Sequence, residues 1–350
     1  MPCCDLCGNP ETVYAQATRV GLYQRIYQKR HLCRSCFLSA VEKKIHNTIK
    51  QHRLIEAGDF ILMGMSGGKD SQLMASTLSH YREKVPFELA GITVDEGIAG
   101  YRPIGVELAR ELARSCGIRH LVTSFQDLFG LTLDQIVHRL KHEQVFEDAQ
   151  AQEKTCAFCA RLRLKVMMVV AKAMGANKLG LAINFDDHVA NFLLTLGTDD
   201  MATTLMQFAP YYMPFPSGIP HVKALTFLTD KEIALYDILN GIPYQLTPEC
   251  PYSAQMVGDL MREQIFRIEE TFPGFRFSVH RATQMMRPLA VQQMNQRVWV
   301  SCPSCFYQIP AGKAKRACSS CELIGVLESL QQTSLRSWET RLVASVCSQE

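Results

Sequence analysis

The chain has 350 residues, of which 47% are hydrophobic and 20% are charged. This composition is typical of a folded globular protein and excludes a disordered or fibrous one. The formal net charge is only +3, so nucleic-acid binding would need a local basic surface. The first residues form no apolar signal segment, and no apolar run is long enough to span a bilayer. We therefore expect a cytoplasmic protein with no membrane attachment.

Residues 1–50 are predicted to form a zinc ribbon followed by a linking helix from Phe37 to Arg53. Two Cys-x-x-Cys pairs occur there, and this spacing can present both thiolates of a pair to one ion. The chain has 14 cysteines and no secretory signal, which favours metal over disulfides. All four positions of the ion would be filled by protein, so its role would be structural. The predicted ligands of this Zn²⁺ are Cys4, Cys7, Cys33 and Cys36.

Residues 51–290 are predicted to be the main α/β domain, because apolar runs alternate with helical patterns. Strands are predicted at Phe60–Met65, Phe87–Val94, His120–Ser124 and Lys178–Ile183, and helices at Gln72–Tyr81, Arg102–Ser115, Leu131–Ala149, Arg161–Met174, Asp187–Leu196, Lys231–Asn240 and Ala254–Thr271. This alternation predicts a doubly wound parallel sheet with ligands at the carboxyl ends of its strands. Residues 198–224 are predicted to form a long irregular connection.

The most informative motif is Ser66-Gly67-Gly68-Lys69-Asp70-Ser71, which joins the first predicted strand of this domain to a helix. A helix N-terminus offers free N–H groups and a favourable dipole to a phosphate. The glycines allow close approach of the backbone, and the lysine adds a point charge. The motif is not a Walker A loop, because only three residues separate Gly64 from Gly68 and an aspartate follows the lysine. The alternative is a glycine turn without a ligand.

A third Cys-x-x-Cys pair, Cys156 and Cys159, precedes a predicted helix and has no second pair. The nearest later cysteine is Cys250. Three thiolates can hold a [4Fe–4S] cluster and leave one iron open to an external ligand. They could instead act without metal, as a persulfide carrier and a resolving thiol, with a helix N-terminus lowering the thiolate pKa. A structural thiol pair with an unrelated buried Cys250 is a third interpretation, and spacing alone leaves all three open.

Residues 291–350 are predicted to hold a second zinc ribbon and a tail. Two further Cys-x-x-Cys pairs have the spacing of a structural Zn²⁺ site. Its predicted ligands are Cys302, Cys305, Cys318 and Cys321.

The Ser-Gly-Gly-Lys-Asp-Ser loop resembles the PP-loop of the ATP pyrophosphatases, which cleave ATP at the α-phosphate and adenylate a carbonyl oxygen of their substrate. With the cysteine triplet and both quartets, nearly the whole chain resembles the tRNA 2-thiolation branch of that family, which includes the TtuA and TtcA enzymes and the eukaryotic cytosolic tRNA thiouridylase. Further family-like motifs are Val94–Arg102, Asp127–Gly130, Lys231–Tyr236, Glu249–Ser253 and Arg262.

The resemblance implies an enzyme that adenylates O2 of a tRNA uridine with ATP, after which sulfur attacks C2 and expels AMP. It implies that ATP and Mg²⁺ occupy the loop, with Cys156, Cys250, Lys69 and Asp70 as catalytic residues. It also implies a [4Fe–4S] cluster on the three cysteines, and sulfur supplied by a ubiquitin-like or other carrier protein. A homodimer is expected from the resemblance alone. The residues implied for the nucleotide site are Gly64, Ser66, Gly67, Gly68, Lys69, Asp70, Ser71, Val94, Arg163 and Asp187.

Several positions depart from the family pattern, and they cluster on the substrate side of the site. Ile183 stands where the family has histidine, and Lys223-Ala224-Leu225 replaces Arg-Pro-Leu. Ala190 and Asn191 stand where Glu and Thr are usual, and Gly258 replaces an arginine. These changes leave two alternatives: ATP-dependent sulfur transfer to a non-tRNA carbonyl, or a non-catalytic RNA-binding paralogue.

Overall fold

The computed structural model describes residues 3–20, 26–142, 151–196, 201–214, 218–247, 249–252, 257–302, 308–311, 318–331 and 338–348. Its strands are β1 (Tyr14–Val20), β2 (Ile26–Leu32), β3 (Phe60–Gly64), β4 (Glu88–Asp95), β5 (Arg119–Ser124), β6 (Lys178–Gly180), β7 (Tyr211–Tyr212), β8 (His221–Val222), β9 (Trp299–Ser301) and β10 (Gln308–Pro310). Its helices are α1 (Arg34–Gln51), α2 (Lys69–Tyr81), α3 (Arg102–Ser115), α4 (Phe125–Phe129), α5 (Leu133–His142), α6 (Ala151–Ala173), α7 (Phe185–Thr195), α8 (Met201–Gln207), α9 (Asp230–Asn240), α10 (Val257–Thr271), α11 (Phe275–Asn295), α12 (Ser319–Gln331) and α13 (Trp338–Ser348).

A six-stranded sheet in the order β5-β4-β3-β6-β8-β7 forms the centre of the fold. The pairs from β5 to β8 are parallel, whereas β7 pairs antiparallel with β8 at the edge. Ile61, Leu62 and Met63 of β3 are almost fully buried, as expected for a strand covered on both faces. The predicted α/β fold is therefore confirmed, with a correction: the sheet is mixed because its last strand runs antiparallel.

Apolar side chains cover both faces of this sheet. One cluster joins α1, α2 and α3 to the sheet and includes Phe37 and Leu73. The other joins α6 to α12 and α13 and includes Val166, Leu327 and Trp338. The C-terminal helices are therefore part of the core, although the sequence predicted only a ribbon and tail in that region.

Two predicted elements differ from the structure in ways that affect the site. The segment predicted as irregular, residues 198–224, contains α8 and the two short strands that extend the sheet. Strands of two residues carry no periodicity, which is why the pattern did not reveal them. The helix predicted from Arg161 is described from Ala151, so Cys156 and Cys159 lie inside it. Helix α5 confirms the predicted helix at Leu131–Ala149 as far as His142, and the rest lies outside the described residues.

Helices α11, α12 and α13 and the hairpin β9–β10 were not predicted from the sequence. None of the helices in the described ranges combines the length and the apolarity that a bilayer crossing requires.

Candidate functional site at the carboxyl edge of the sheet

The phosphate loop (Ser66–Ser71) connects β3 to α2, and Gly68 is the N-cap of that helix. The Ser71 hydroxyl accepts a hydrogen bond from the Ser66 N–H at 3.1 Å and donates to the Gly68 carbonyl at 2.9 Å. These bonds close the loop into a tight turn. The first N–H groups of α2 have no acceptor within the helix, so they favour an anion at this point.

The loop packs directly on the backbone of α3. Gly67 has φ +79°, and a Cβ placed there would lie 2.2 Å from the carbonyl oxygen of Gly105. A Cβ on Gly105 would in turn lie 2.6 Å from the carbonyl oxygen of Ser66. The approach is possible only because both positions lack a side chain. The absence of a side chain at Gly67 therefore allows both the positive φ of the loop and its close packing on α3.

A polar cluster surrounds the lysine of the loop. Lys69 Nζ lies 2.8 Å from Asp70 Oδ2 and 2.7 Å from Asp230 Oδ1. Asn184 Nδ2 donates to the same two carboxylates, at 2.9 and 3.2 Å. Burial alone would lower the pKa of Lys69, but the two carboxylates outweigh it and raise the pKa above its usual value. The lysine is therefore a permanent positive charge beside the phosphate position.

Asn184 also caps α7, so the cap and the cluster depend on the same side chain. Its Oδ1 accepts the N–H of Asp187, whose carboxylate accepts the N–H of Asn184 in return. Asp187 pairs with Arg262 of α10. Burial raises the pKa of Asp187 to about 6 against the opposing effect of Arg262. Asp187 thus holds α7 and α10 beside the loop.

Asp237 of α9 is a buried carboxylate behind this cluster. Its side chain is fully buried, and both carboxylate oxygens lack a hydrogen-bond partner within the described residues. Burial, reinforced by the charge of Asp70, raises the pKa of Asp237 to about 8, and Lys69 opposes the rise. The group is therefore protonated at neutral pH, which avoids an unpaired buried charge.

A cavity of about 390 Å³ opens above the loop, between it and α6. Its apolar wall includes Ile92, Met167 and Leu181, which suits a flat ring. Among the residues predicted for the nucleotide site, those that line it are Gly64, Ser66, Gly68, Asp70, Ser71, Val94 and Arg163. The other three, Gly67, Lys69 and Asp187, lie behind or beside it.

A buried ion network ties the loop to the far wall of the cavity. Glu96, only 2% exposed, lies 2.7 Å from Arg102 Nε and 3.1 Å from Arg163 Nη1. Arg102 also donates to the carbonyls of Ser66 and Val94. No role was predicted from the sequence for Glu96 or Arg102. The only signal was that an acidic and a basic residue occur together in the segment Val94–Arg102.

The three cysteines of the triplet meet at the wall formed by α6. Cys156 and Cys159 are three residues apart, so they share a face of the helix. The Cys156 thiol donates to the carbonyl of Tyr252 at 3.2 Å, which places the segment that holds Cys250 against α6. Burial raises the pKa of Cys156, with a further contribution from Cys250, and raises the pKa of Cys159 to about 12.

Helix α6 includes Cys156 and Cys159, so the persulfide alternative loses the helix N-terminus that would lower the thiolate pKa of these residues. The cysteines lie inside the helix and are largely buried, so desolvation dominates. In the described part of the chain, the three sulfurs are not a group within 4.8 Å of one another, unlike the cysteines at the N-terminus. The [4Fe–4S] cluster on these cysteines therefore stays a prediction, supported by the contact between Cys156 and the segment that holds Cys250.

The N-terminal quartet has the geometry of a single-ion site. The sulfurs of Cys4, Cys7, Cys33 and Cys36 all lie within 4.8 Å of one another. The N–H of Gly8 donates to the Cys4 carbonyl, which forms the tight knuckle, and Cys33 is the N-cap of α1. A backbone hydrogen bond from Cys33 contributes most to lowering the pKa of Cys4 to about 6. The four sulfur donors and their close spacing fit a structural zinc ion.

The C-terminal quartet is described in part. The sulfurs of Cys302, Cys318 and Cys321 lie within 4.8 Å of one another, and the N–H of Cys318 donates to the sulfur of Cys302. Cys305 lies outside the described residues. Zinc at both sites stays a prediction that these arrangements support.

Comparison with known proteins adds to this geometry. The family profile of the PP-loop domain matches residues 37–218. The chain is 27% identical over 340 residues to the tRNA 2-thiolation protein NcsA of Haloferax volcanii, covering 93% of this chain and 99% of that protein. It is 30% identical over 258 residues to cytoplasmic tRNA 2-thiolation protein 1 of Chlamydomonas reinhardtii, covering 73% of this chain and 69% of that protein.

A solved structure shares the fold. It is the U34-tRNA thiolase NcsA from Methanococcus maripaludis with its [4Fe–4S] cluster, which superposes with a TM-score of 0.72 at 23% identity. The match covers 93% of this chain and 97% of that chain.

Because Gly67 and Gly105 are in close contact, we expect a single methyl group added at Gly67 to destabilise the fold strongly. Gly67→Ala should lower the free energy of unfolding by about 2 kcal/mol or more, because both a positive φ and a backbone clash oppose it. Gly325→Ala in α12 is the matched control, since nothing lies within 4 Å of its Cβ position. Thermal unfolding of both variants checks this; equal midpoints would contradict the packing argument.

The buried Asp237 predicts a specific dependence of stability on pH. Its pKa is raised from 3.8 to about 8 on folding, so the unfolded chain binds fewer protons and stability falls as pH rises between these values. Asp237→Asn should flatten this slope by up to about 1.4 kcal/mol per pH unit between about pH 5 and pH 7. The exposed Glu83→Gln change should leave the slope unaltered. Denaturant unfolding at several pH values measures both variants, and a wild-type slope in Asp237→Asn would refute the assignment.

The knuckle geometry distinguishes Cys4 from its neighbour Cys3. Cys4→Ser should reduce the zinc content by one ion per chain and lower the thermal midpoint, because a ligand is lost. Cys3→Ser should change neither, since Cys3 is exposed and lies outside the quartet. Elemental analysis with thermal unfolding gives the answer; zinc loss in both variants would mean that the ligand set is different.

Proposed function

Because the chain belongs to the PP-loop family, within its tRNA 2-thiolation branch, we propose that it is an ATP-dependent sulfurtransferase that converts a tRNA uridine to 2-thiouridine. One observation carries the proposal. The cavity above the phosphate loop is bounded on its other side by Ala160 and Arg163 of α6, directly after Cys159. A nucleotide in that cavity and sulfur held at the cysteines would therefore reach the same substrate atom.

The loop side of the cavity performs the adenylation. Its backbone N–H groups, the dipole of α2 and the Lys69 ammonium bind the phosphates. O2 of the uridine forms a bond to the α-phosphorus, the bond to the bridging oxygen breaks, and pyrophosphate leaves. Carbonyl oxygen is a poor leaving group, and the adenylate makes it a good one. Positive charge from Lys69, Arg102 and Arg163 stabilises the negative charge that develops on the phosphates.

The hard oxygen donors Asp70 and Asp230 fit a Mg²⁺ ion that would accompany the phosphates. The soft donors Cys156, Cys159 and Cys250 fit a [4Fe–4S] cluster, which when bound through three thiolates supplies one open iron for an external sulfur ligand. Sulfur then forms a bond to C2 of the adenylated uridine, the C2–O bond breaks, and AMP leaves. Arg163, beside Cys159 and Glu96, provides a fixed positive charge next to the reacting groups.

Burial of Cys159 and partial burial of Cys156 disfavour the alternative persulfide route. A free nucleophilic thiol needs a low pKa, whereas burial raises the pKa of both Cys156 and Cys159. Metal coordination removes that cost, since it stabilises the thiolate directly. The donor set therefore favours a cluster over a free dithiol.

Recognition of tRNA is the part of the proposal that rests on surface charge. The exposed Lys43 and Lys50 lie on α1, and Arg53 follows it. Such residues provide phosphate contacts without sequence specificity. The sequence has a further basic run, Lys313, Lys315 and Arg316, which lies outside the described residues. Delivery of sulfur by a ubiquitin-like or other carrier protein, and homodimerisation, stay predictions.

The proposal predicts that all three cysteines are needed together for cluster binding and thiolation. Cys156→Ala, Cys159→Ala and Cys250→Ala, purified anaerobically, should each lose iron and form no 2-thiouridine, because a three-thiolate site loses a ligand. Cys116→Ala is the control and should keep both properties, since Cys116 follows α3 outside the cavity. Iron content and nucleoside mass spectrometry of tRNA treated with ATP and a sulfide source provide the readout.

The outcomes separate the alternatives for the substrate. Cluster loss together with loss of 2-thiouridine in the three variants supports the proposal. A wild-type protein with an intact cluster that forms AMP and pyrophosphate but no thiolated tRNA would indicate a non-tRNA carbonyl substrate. A wild type that forms no AMP at all would indicate a non-catalytic protein.

A further inference from the structure

A second cavity, of about 430 Å³, lies beside the nucleotide cavity. The two share Leu164, Leu181 and Ile183, so they adjoin along this apolar strip. The second cavity lies at the same carboxyl edge of the sheet, because Lys223 directly follows β8, which is parallel to β6. Ligands of parallel sheets bind at this edge. Its size is within the range of small-molecule sites.

Hydrogen-bond donors and aromatic rings line one part of this cavity, whose remaining walls are mostly apolar. Lys223 and Arg297 supply the cationic groups, and Tyr212 and Trp299 supply the rings. The hairpin β9–β10 contributes Trp299 and closes one side. None of the described lining residues is an aspartate or a glutamate. The cavity therefore favours a planar ligand whose edge accepts hydrogen bonds.

Lys223 is the most unusual of these groups. It is 3% exposed, its ammonium donates to the carbonyl of Gln207, and it lies 5.6 Å from the centre of the Tyr212 ring. No carboxylate within the described residues pairs with it, and burial lowers the pKa of Lys223 to about 7. Burying a lysine without a carboxylate partner costs stability, and a ligand that accepts a hydrogen bond from Lys223 would offset that cost.

His221 is a second group whose hydrogen-bonding capacity is not used by the described residues. It is 5% exposed, lines the cavity, and its Nε2 is buried without a partner among the described residues. Burial, and then the charge of Lys223, lowers the pKa of His221 to about 4, so the ring is neutral. A neutral imidazole can donate to or accept from a ligand edge.

We propose that this second cavity receives the uracil base of the target nucleotide, turned out of its stack, with Lys223 contacting a ring carbonyl and the rings of Tyr212 and Trp299 stacking on the base. The inference rests on the proposed function, and it assigns that function a substrate pocket. Enzymes that act on a base take it out of the stack into such a pocket. Stacking on aromatic side chains and contacts to base edges are the usual means of reading single-stranded RNA.

The pocket also explains selection of uracil over cytosine. Uracil presents two carbonyl acceptors, which match the donors of Lys223 and Arg297. Cytosine presents an exocyclic amine in place of one carbonyl, and acidic side chains are the usual acceptors for that amine. None of the described lining residues is acidic, so the two cationic donors match the two carbonyls of uracil better than the exocyclic amine of cytosine.

The pocket predicts that Lys223→Met impairs use of tRNA without impairing use of ATP. The value of kcat/KM for tRNA should fall about 10- to 100-fold, because a buried hydrogen bond to the base is lost. The KM for ATP should stay near the wild-type value, since Lys223 does not line the nucleotide cavity. Lys223→Arg should recover part of the loss. Lys172→Met, at the exposed end of α6, is the matched control and should leave both constants unchanged.

A cross-link on the wild-type holoenzyme gives an answer that does not depend on variant folding. A tRNA carrying 4-thiouridine at the uridine that the protein thiolates is bound with a non-hydrolysable ATP analogue and irradiated. Mass spectrometry should place the cross-link on peptides that contain Tyr212, Lys223 or Trp299. The same tRNA with 4-thiouridine at another position should not label these peptides.

The results separate failure of the pocket from failure of the function. Thiolation by the wild type with cross-links elsewhere, or an unchanged kcat/KM in Lys223→Met, would overturn the pocket and leave the function intact. Absence of 2-thiouridine with the wild type would overturn both.

Discussion

The buried charge of Glu96 is the constraint on which the site depends. Glu96 is 2% exposed, so its carboxylate must be paired, and it is paired with Arg102 and Arg163 at once. Arg102 carries the connection to the phosphate loop through the carbonyl of Ser66. Arg163 lies on α6, the helix that bears Cys156 and Cys159, and its ion pair connects Glu96 to that helix. Loss of one partner from such a group typically costs about 3–5 kcal/mol, so the two walls of the nucleotide cavity are held in one arrangement.

The phosphate side is organised before any nucleotide binds. Lys69 is held by Asp70 and Asp230, and Asn184 fixes both carboxylates while it caps α7. A site that is ordered in this way needs little reorganisation when charge develops on the phosphates. This arrangement places the carboxylates of Asp70 and Asp230 close together, which concentrates negative charge. Asp237 behind them adds no further negative charge, because its burial keeps it protonated.

The sequence predicted what local patterns determine and missed what tertiary packing determines. The phosphate loop, the parallel strands and the N-terminal cysteine quartet follow from short motifs and periodicity, and the structure contains them. The strands β7 and β8 have two residues each and form only because they pair with the sheet edge. The pKa of Cys156 depends on burial by segments that are distant in sequence. Its position near a predicted helix start therefore could not show whether the pKa is raised or lowered. Glu96 and Asp237 became informative only when their partners, or the lack of them, were visible.

Two of the departures from the family pattern lie close together in the structure. Ile183 lies in the apolar strip between the two cavities, and Lys223 lines the second one. An isoleucine in place of a histidine makes that strip drier, and in a drier site each remaining charge interacts more strongly. The amine of Lys223, with which no carboxylate among the described residues pairs, is then a principal hydrogen-bond donor on the substrate side. A lysine also presents a point charge, where the arginine usual in the family would present a fork of donors. The two substitutions therefore act together, and they leave the phosphate loop and the cysteine triplet untouched.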